Sequence, residues 1–387
     1  MKIKKVLLGV AAAGLVGLTF STTTYAWFRI NSNAYVNELE FNVITGLGFR
    51  VAVDGSNINY YKSTLTTKDI ESSILRSYDR EKYVFIKDEL YEKQDNEYKK
   101  LTQEEIESII KENIILNPLT SLNGTELNDQ FGEAVEASSG RFLEFDLYFK
   151  TLSKNEKENQ KYGIYLTDDT SYVEDGSGVE KEMIPTSINS ILQPIKLDND
   201  LTIIENSAPK LYEAGSSINL NVKNAIRFSF ENKGKYEASD KSDEEIETPQ
   251  EMVSINPTPL VDSVIYEITD QDDLGSYATD YEGEDLELTK KYDYRYNAMY
   301  TYNESLGGAT ITPLSYNEIK ELYDTNKIVK EFNEDYVCAK VESGLNANLV
   351  TFRFWIEGFD ADYIPGIPSK ATDIKVNLSF KVNDKLN

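Results

Sequence analysis

From Trp27 onward the chain is dominated by short alternations of apolar and polar residues. Phe28, Ile30, Ala34 and Val36 share one parity, with Arg29, Asn31, Asn33 and Asn37 on the other. After Glu38 the apolar set moves to Leu39, Phe41 and Val43. A period of two with a change of parity predicts an extended segment, a break, and a second strand. Gly46 and Gly48 punctuate the run before 49–53, which ends in the turn signal Asp54-Gly55. The pattern returns over 141–150, where Phe145, Leu147 and Phe149 alternate cleanly, and over the short stretch 162–166. Ile218, Leu220 and Val222 alternate before 225–230, whose odd and even positions exchange character; a bulge near Lys223 and Asn224 accounts for the exchange. The two strongest strand signals close the chain. Over 349–356, Phe352, Phe354 and Ile356 oppose Thr351, Arg353 and Trp355; over 374–382, Ile374, Val376, Leu378, Phe380 and Val382 share one side.

Two stretches break this period. Residues 56–140 contain Thr102-Gln103-Glu104-Glu105, a capping box with Thr102 as N-cap. Ile106, Ile109, Ile110 and Ile114 follow at helical spacing until Asn117-Pro118 stops the helix. Residues 231–335 hold an acidic, proline-containing run at 239–251 expected to be a mobile loop, a strand signal at 264–268 and a tyrosine-rich stretch at 292–302. A helix opens there at Ser315-Tyr316-Asn317-Glu318 and ends before Glu334-Asp335. Strands spread from one end of the chain to the other require long-range pairing. The expected class is therefore all-β: one β-sandwich domain over 39–387, with two mixed or helical insertions at about 56–140 and 231–335. No internal repeat is visible.

Residues 1–26 follow a different pattern. Lys2, Lys4 and Lys5 precede an apolar stretch over 6–20, then a polar stretch, then Thr24-Tyr25-Ala26, a small-x-small cleavage site. This reads as an export signal cleaved after Ala26, with Trp27 as the new N-terminus. About 15 apolar residues fall short of the roughly 20 that span a bilayer, and an uncleaved membrane anchor is the competing reading. Residues 379–387 carry neither an LPxTG sorting signal nor an apolar tail, which favours release or self-assembly over wall anchoring.

Charge and composition narrow the chemistry. The formal net charge is -26, from 40 basic and 66 acidic residues. Such a surface repels nucleic-acid phosphates and anionic lipid, so neither nucleic acid nor membrane is an expected partner of the mature form. The single cysteine, Cys338, excludes an intramolecular disulfide and, between Val337 and Ala339, reads as a buried strand thiol. Histidine is absent, which excludes a Ser-His-Asp triad, a Cys-His pair and an HExxH zinc site. Carboxylate pairs stay formally open, but no pair stands out among so many acids, and the chain is expected not to be an enzyme. No cofactor is expected except calcium, for which Glu357, Asp360 and Asp362 offer oxygen ligands; a core strand ending in a solvated turn is the plainer reading. Asp270-Gln271-Asp272-Asp273-Leu274-Gly275 has the first, third and sixth positions of an EF-hand loop, but Leu274 and Tyr281 stand where ligands are needed. The tyrosines of 292–302 fit either cross-strand packing or a face for sugars or a partner.

Ala26-Trp27-Phe28 at the signal boundary, Asn224-Ala225-Ile226-Arg227 in the interior and Arg353-Phe354-Trp355-Ile356-Glu357-Gly358-Phe359-Asp360 near the end together resemble motifs of the TasA/camelysin family of Gram-positive bacteria. The likeness covers the strand framework and neither insertion. It implies a jelly-roll-like β-sandwich, secreted to the extracellular matrix or cell surface, whose N-terminal segment is exposed by a dedicated signal peptidase. It further implies fibres in which that segment adds as a strand to a neighbouring subunit. On this chain the donor is then 27–38, with Phe28, Ile30, Ala34 and Val36 as the inserted side chains, and the partner is another copy or a related matrix subunit. An alternating segment suits this role, because its main chain can pair with a free edge while alternate side chains fill pockets. Head-to-tail donation does not close on itself and so yields filaments. The same alternation also fits a strand folded back on its own domain. The competing function is a monomeric surface adhesin whose insertions bind a carbohydrate or host protein. Some members of the family are described as metalloproteases, a role that a chain without histidine does not fit.

Overall fold

The computed structural model describes residues 34–45, 48–95, 97–129, 133–151, 161–168, 172–174, 180–182, 185–192, 195–196, 201–205, 208–218, 226–250, 252–256, 263–267, 300–303, 310–313, 328–329, 332, 334–342, 346–357 and 372–383. The export signal, the bulge expected at 223–224 and the EF-hand-like stretch lie outside them.

The chain begins with β1 (Ala34–Thr45), β2 (Phe49–Ala52) and β3 (Thr64–Leu65), then helix α1 (Thr67–Tyr78). A meander of β4 (Tyr83–Ile86), β5 (Glu89–Gln94) and β6 (Glu97–Lys100) leads to α2 (Gln103–Asn113), β7 (Ile115–Leu116), β8 (Pro118–Leu119) and β9 (Leu143–Thr151). Next come β10 (Lys161–Leu166), β11 (Tyr172–Glu174), β12 (Glu180–Glu182), β13 (Ser187–Leu192), β14 (Ile195–Lys196), β15 (Leu201–Glu205), β16 (Ala208–Tyr212) and β17 (Ser217–Ile218). The last part holds β18 (Ile226–Glu237), β19 (Val253–Asn256), β20 (Val264–Glu267), β21 (Tyr300–Asn303), β22 (Thr310–Pro313), β23 (Ile328–Val329), β24 (Val337–Glu342), β25 (Asn346–Glu357) and β26 (Thr372–Asn383).

Two sheets carry the fold. A seven-stranded sheet runs β24-β10-β26-β1-β3, with β13 and β7 joined to β26 and β1. An eight-stranded sheet runs β2-β9-β25-β18-β20-β23, with β19 and β8 joined to β18 and β25. Their inner faces share one buried cluster, to which the first gives Val43, Ile164, Val376 and Leu378 and the second Phe145, Phe228 and Phe354. Phe380 of β26 touches Phe149 of β9 (ring centroids 5.0 Å) and Phe352 of β25 (5.9 Å) across the gap. Each such ring removed from water stabilises the fold by about 1.5–3 kcal/mol. The β-rich class follows from the alternation, which turns phenylalanine inward and Glu144, Asp146, Thr351 and Arg353 outward.

The first insertion is part of this core. Ile70, Ile74 and Leu75 of α1 and Ile106 and Ile110 of α2 are buried in the same cluster. The capping box opens α2 as expected, with the Thr102 N–H donating to Glu105 Oε2 (2.9 Å) and the Glu105 N–H to Thr102 Oγ1 (3.3 Å). The helix stops at Asn113, before the proline. The N–H groups of Ile115 and Asn117 are taken by the carbonyls of Gly140 (2.7 Å) and Arg141 (3.0 Å), so returning chain draws 115–117 into extended structure. α1 lies against the part of β9 that β2 leaves open. Ser73 Oγ donates to the Asp146 carbonyl and accepts from the Asp146 N–H, both at 3.0 Å, as a neighbouring strand would. Thr186 serves Ser379 of β26 in the same way, with Oγ1 donating to its carbonyl (3.2 Å) and accepting from its N–H (3.0 Å). A hydroxyl thus fills a missing rung in each sheet.

Three expectations are corrected. The break near Glu38 is a register shift between Val36 and Glu38 within the continuous strand β1, because pairing with β26 holds both sides of the shift in one sheet. The helix expected to run from 315 to before 334 is not continuous: Ile328–Val329 forms β23, paired in parallel with β20, and long-range pairing overrides local propensity there. Residues 239–246 of the acidic run are docked rather than free. The Ile58 N–H donates to the Ser239 carbonyl (2.9 Å), and Ile246 is buried with Tyr60 and Ile86 of the first insertion.

Candidate functional site

Of the residues expected to mediate assembly, Phe28 and Ile30 lie outside the described residues, as do Ala26 and Trp27 of the cleavage site. Ala34 and Val36 lie in β1, whose backbone pairs within the chain: Ala34 with Leu116 of β7, Val36 with Thr372 of β26. From Val36 to Thr45, β1 runs parallel to β26 in a sheet whose other described pairings are antiparallel. Lys375 of β26 and Glu40 of β1 form an ion pair across this seam. Residues 34–38 of the expected donor segment therefore belong to a strand anchored in its own sheet.

Of the three calcium candidates, Asp360 and Asp362 lie outside the described residues. Glu357 ends β25, is buried, and accepts from Trp355 Nε1 (3.3 Å). Trp355 itself packs against Leu119, Leu127, Phe142 and Ile265. Among the described residues no three His, Cys, Asp or Glu side chains are grouped so as to hold a metal, and no helix is long and apolar enough to cross a membrane. Cys338 is fully buried on β24, its Sγ donating to the Ile164 carbonyl (3.1 Å), and burial pushes its thiol far up from the usual range.

A polar cavity of about 120 Å³ opens between the chain at 53–62, α1 and the β4–β5 turn, with Lys62, Lys68, Asp69, Asp88 and Glu89 in its walls. The turn is the two residues Lys87 and Asp88, both left-handed at φ 56° and 59°. This is the hairpin geometry that matches strand twist, and it places Asp88 at the cavity. Lys62 Nζ sits 3.0 Å from Asp69 Oδ1 and 2.6 Å from Asp88 Oδ2. Burial pushes the Asp88 carboxyl up to about 6 although Lys62 pulls it down. Burial acts to lower Lys62, but Asp88 and Asp69 outweigh it and hold the ammonium above its ordinary value. Nearby Asp54 is raised by burial, against a hydrogen bond from the Ser56 N–H (3.0 Å). The cavity walls hold the ion pairs Lys62–Asp69, Lys62–Asp88 and Lys68–Glu89.

A second polar feature crosses the outer face of the eight-stranded sheet. Arg353 of β25 donates from Nε to Glu144 Oε2 of β9 (2.8 Å) and places Nη1 2.8 Å from Glu231 Oε2 of β18. Arg80 meets Asp146 (2.9 Å), whose Oδ1 accepts from Thr351 Oγ1 (2.6 Å). Burial raises Glu144, opposed chiefly by Arg353. Sequence reasoning placed Thr351 and Arg353 on the polar side of their strand and missed that the side is covered. A visible signal was the acid on β9 and the base on β25, Glu144 between Leu143 and Phe145 and Arg353 between Phe352 and Phe354. No family model matches the chain, nor does any curated protein or solved structure.

Proposed function

We propose that the chain is a secreted structural subunit of an extracellular fibre or matrix, assembled by adding its N-terminal segment as a strand to a neighbouring subunit, and that its sandwich is of the jelly-roll kind found in the TasA/camelysin family. The observation that carries the reading is the anchorage of β1. Residues 27–33 lead directly into a strand held by β26 on one side and by β3 and β7 on the other. Tension on a donated segment would pass straight into the seven-stranded sheet through its main-chain ladder. Since Ala34 and Val36 pair in their own domain, the donated part narrows to 27–33, with Phe28 and Ile30 as its inserted side chains. The absence of histidine fits a role that needs no proton transfer near neutrality.

The monomeric adhesin is the second reading, and the polar cavity beside α1 favours it, since paired charges can be exchanged for those of a small polar ligand. Purified exported protein separates the two. Its first residue should be Trp27, and it should form filaments visible by electron microscopy that Phe28→Asp with Ile30→Asp abolishes. A wild-type chain that stays monomeric at high concentration sinks the fibre reading.

A further inference from the structure

β19 presents an unshielded edge. It pairs with β18 through Lys235↔Asn256, Tyr236↔Ser254 and Glu237↔Val253, and among the described residues no strand takes its other side. Val253 and Ile255 are 63% and 46% exposed, and the register shift between Tyr236 and Lys235 leaves Ile255 as the extra, unpaired residue of the strand. Soluble proteins blunt such edges with lysine or proline, or cover them, because free N–H and C=O groups template another strand. Ser73 and Thr186 fill single missing rungs beside the interior strands β9 and β26; β19 carries two apolar β-branched residues into solvent instead. The chain leading to it is acidic, with Asp240, Glu244, Glu245 and Glu247 exposed.

We propose that β19 is the acceptor edge for residues 27–33 of a second copy of this chain. The inference rests on the strand-addition reading and names its other half. Charge selects the occupant. Residues 27–33 contain Arg29 and no acid, in a chain with 66 acidic residues, and cleavage after Ala26 would add an ammonium at Trp27. A second copy's β19 would instead bring the same acids against one another. Phe28 and Ile30 would bring aromatic and β-branched side chains to the exposed Val253 and Ile255, a favoured combination across strands. Seven extended residues reach about 23 Å, enough to span the four residues of β19 (Val253–Asn256) while β1 stays in its own sheet. In sequence Pro249 precedes β19 and Pro257 follows it, and neither has an N–H with which to extend a ladder.

The test uses the exported chain carrying Phe28→Asp and Ile30→Asp, which cannot donate and leaves its own edge free. A fluorescent peptide with the sequence of residues 27–33 is the probe. It should bind this chain, more weakly at high salt, and adding Val253→Lys with Ile255→Lys should weaken binding by about tenfold or more, a difference of about 1.4 kcal/mol. The lysine substitutions fall at exposed positions, and an unchanged circular dichroism spectrum confirms folding. Peptide bound equally with and without the lysines overturns the acceptor assignment and leaves strand addition standing. No binding to either chain overturns both. Self-association of the non-donating chain that the lysines abolish and the peptide does not disturb makes a second β19 the occupant and overturns the present assignment.

Discussion

Replacing Arg353 by methionine tests whether the covered charge band behaves as a buried network. The guanidinium is 8% exposed, with Nε 2.8 Å from Glu144 and Nη1 2.8 Å from Glu231. The two carboxylates do not lose equally. Glu231 keeps Lys233 at 2.6 Å and is 25% exposed, whereas Glu144 is 12% exposed and keeps Arg80 at 3.8 Å with a weaker pull from Lys233. Removing one partner of a buried pair costs about 3–5 kcal/mol, and the partial exposure of Glu231 puts this case near 3 kcal/mol. The sign with pH follows from Glu144. Burial already holds its carboxyl above the model-peptide value, and Arg353 is the main group pulling it down. Without Arg353 the folded value climbs further above the unfolded one. The penalty is then full above the folded value and is relieved, as Glu144 takes up a proton, on the way down to the unfolded value near 4.3. In urea, with a slope on the order of 3 kcal/mol per M for a chain of this size, the midpoint should fall by about 1 M at pH 8 and by clearly less at pH 5. Adding Glu144→Gln should restore more than half of the loss at pH 8. An equal shift at both pH values, or no recovery in the double variant, would refute a buried band and make it a solvated surface.

Two further effects are expected. Burial pushes Glu71 of α1 up to about 7, opposed by a hydrogen bond from Gln103 and reinforced by Glu107 of α2. Its folded value lies above its unfolded one, so the fold is favoured below pH 4.5 and loses on the order of 2 kcal/mol as pH rises through 7, after allowance for partial screening. Thermal melts from pH 5 to 9 should show this loss in the wild type and a flatter profile in Glu71→Gln. At Gly140, φ is +67° and an added Cβ would stand 2.1 Å from the Asn113 carbonyl. Gly140→Ala should cost about 3 kcal/mol from the left-handed backbone and the displaced Ile115–Gly140 hydrogen bond, and a calorimetric melt within a degree of wild type would disprove it.

The sandwich was legible because alternation is a local signal with a global meaning. Phe145, Leu147 and Phe149 on β9, Phe352 and Phe354 on β25, and Val376, Leu378 and Phe380 on β26 all face the core that their parity assigns. The capping box at Thr102 was equally legible. Its counterpart at α1 was present and overlooked: the Thr66 N–H donates to Asp69 Oδ2 at 2.8 Å, and Ile70 and Ile74 follow at helical spacing. What sequence could not supply is partner choice. Nothing in 34–45 says that it pairs in parallel with 372–380, nor that Val329 of β23 belongs beside Tyr266 of β20. The acidic run at 239–251 was misread for the same reason. Its composition describes a solvated loop, and only the three-dimensional meeting of Ile246 with Tyr60 and Ile86 docks residues 239–246. The polar cavity was invisible because Lys62, Asp69 and Asp88 come from three separate elements.

The two insertions bear differently on assembly. The first supplies core: α1 fills the space beside β9, and Ser73 fills a missing rung there. The second adds β19 and β20 to the far side of β18 and leaves β19 open. A protein whose only requirement was solubility would have reason to cover β19, since its charge of -26 already opposes association. An apolar, open edge beside an acidic approach admits partners selectively. It repels most of the surface of another copy and accepts an extended, acid-free segment such as 27–33. Under this reading the strong net charge prevents unspecific aggregation of a β-rich chain, and the same charge directs the one contact that extends a fibre.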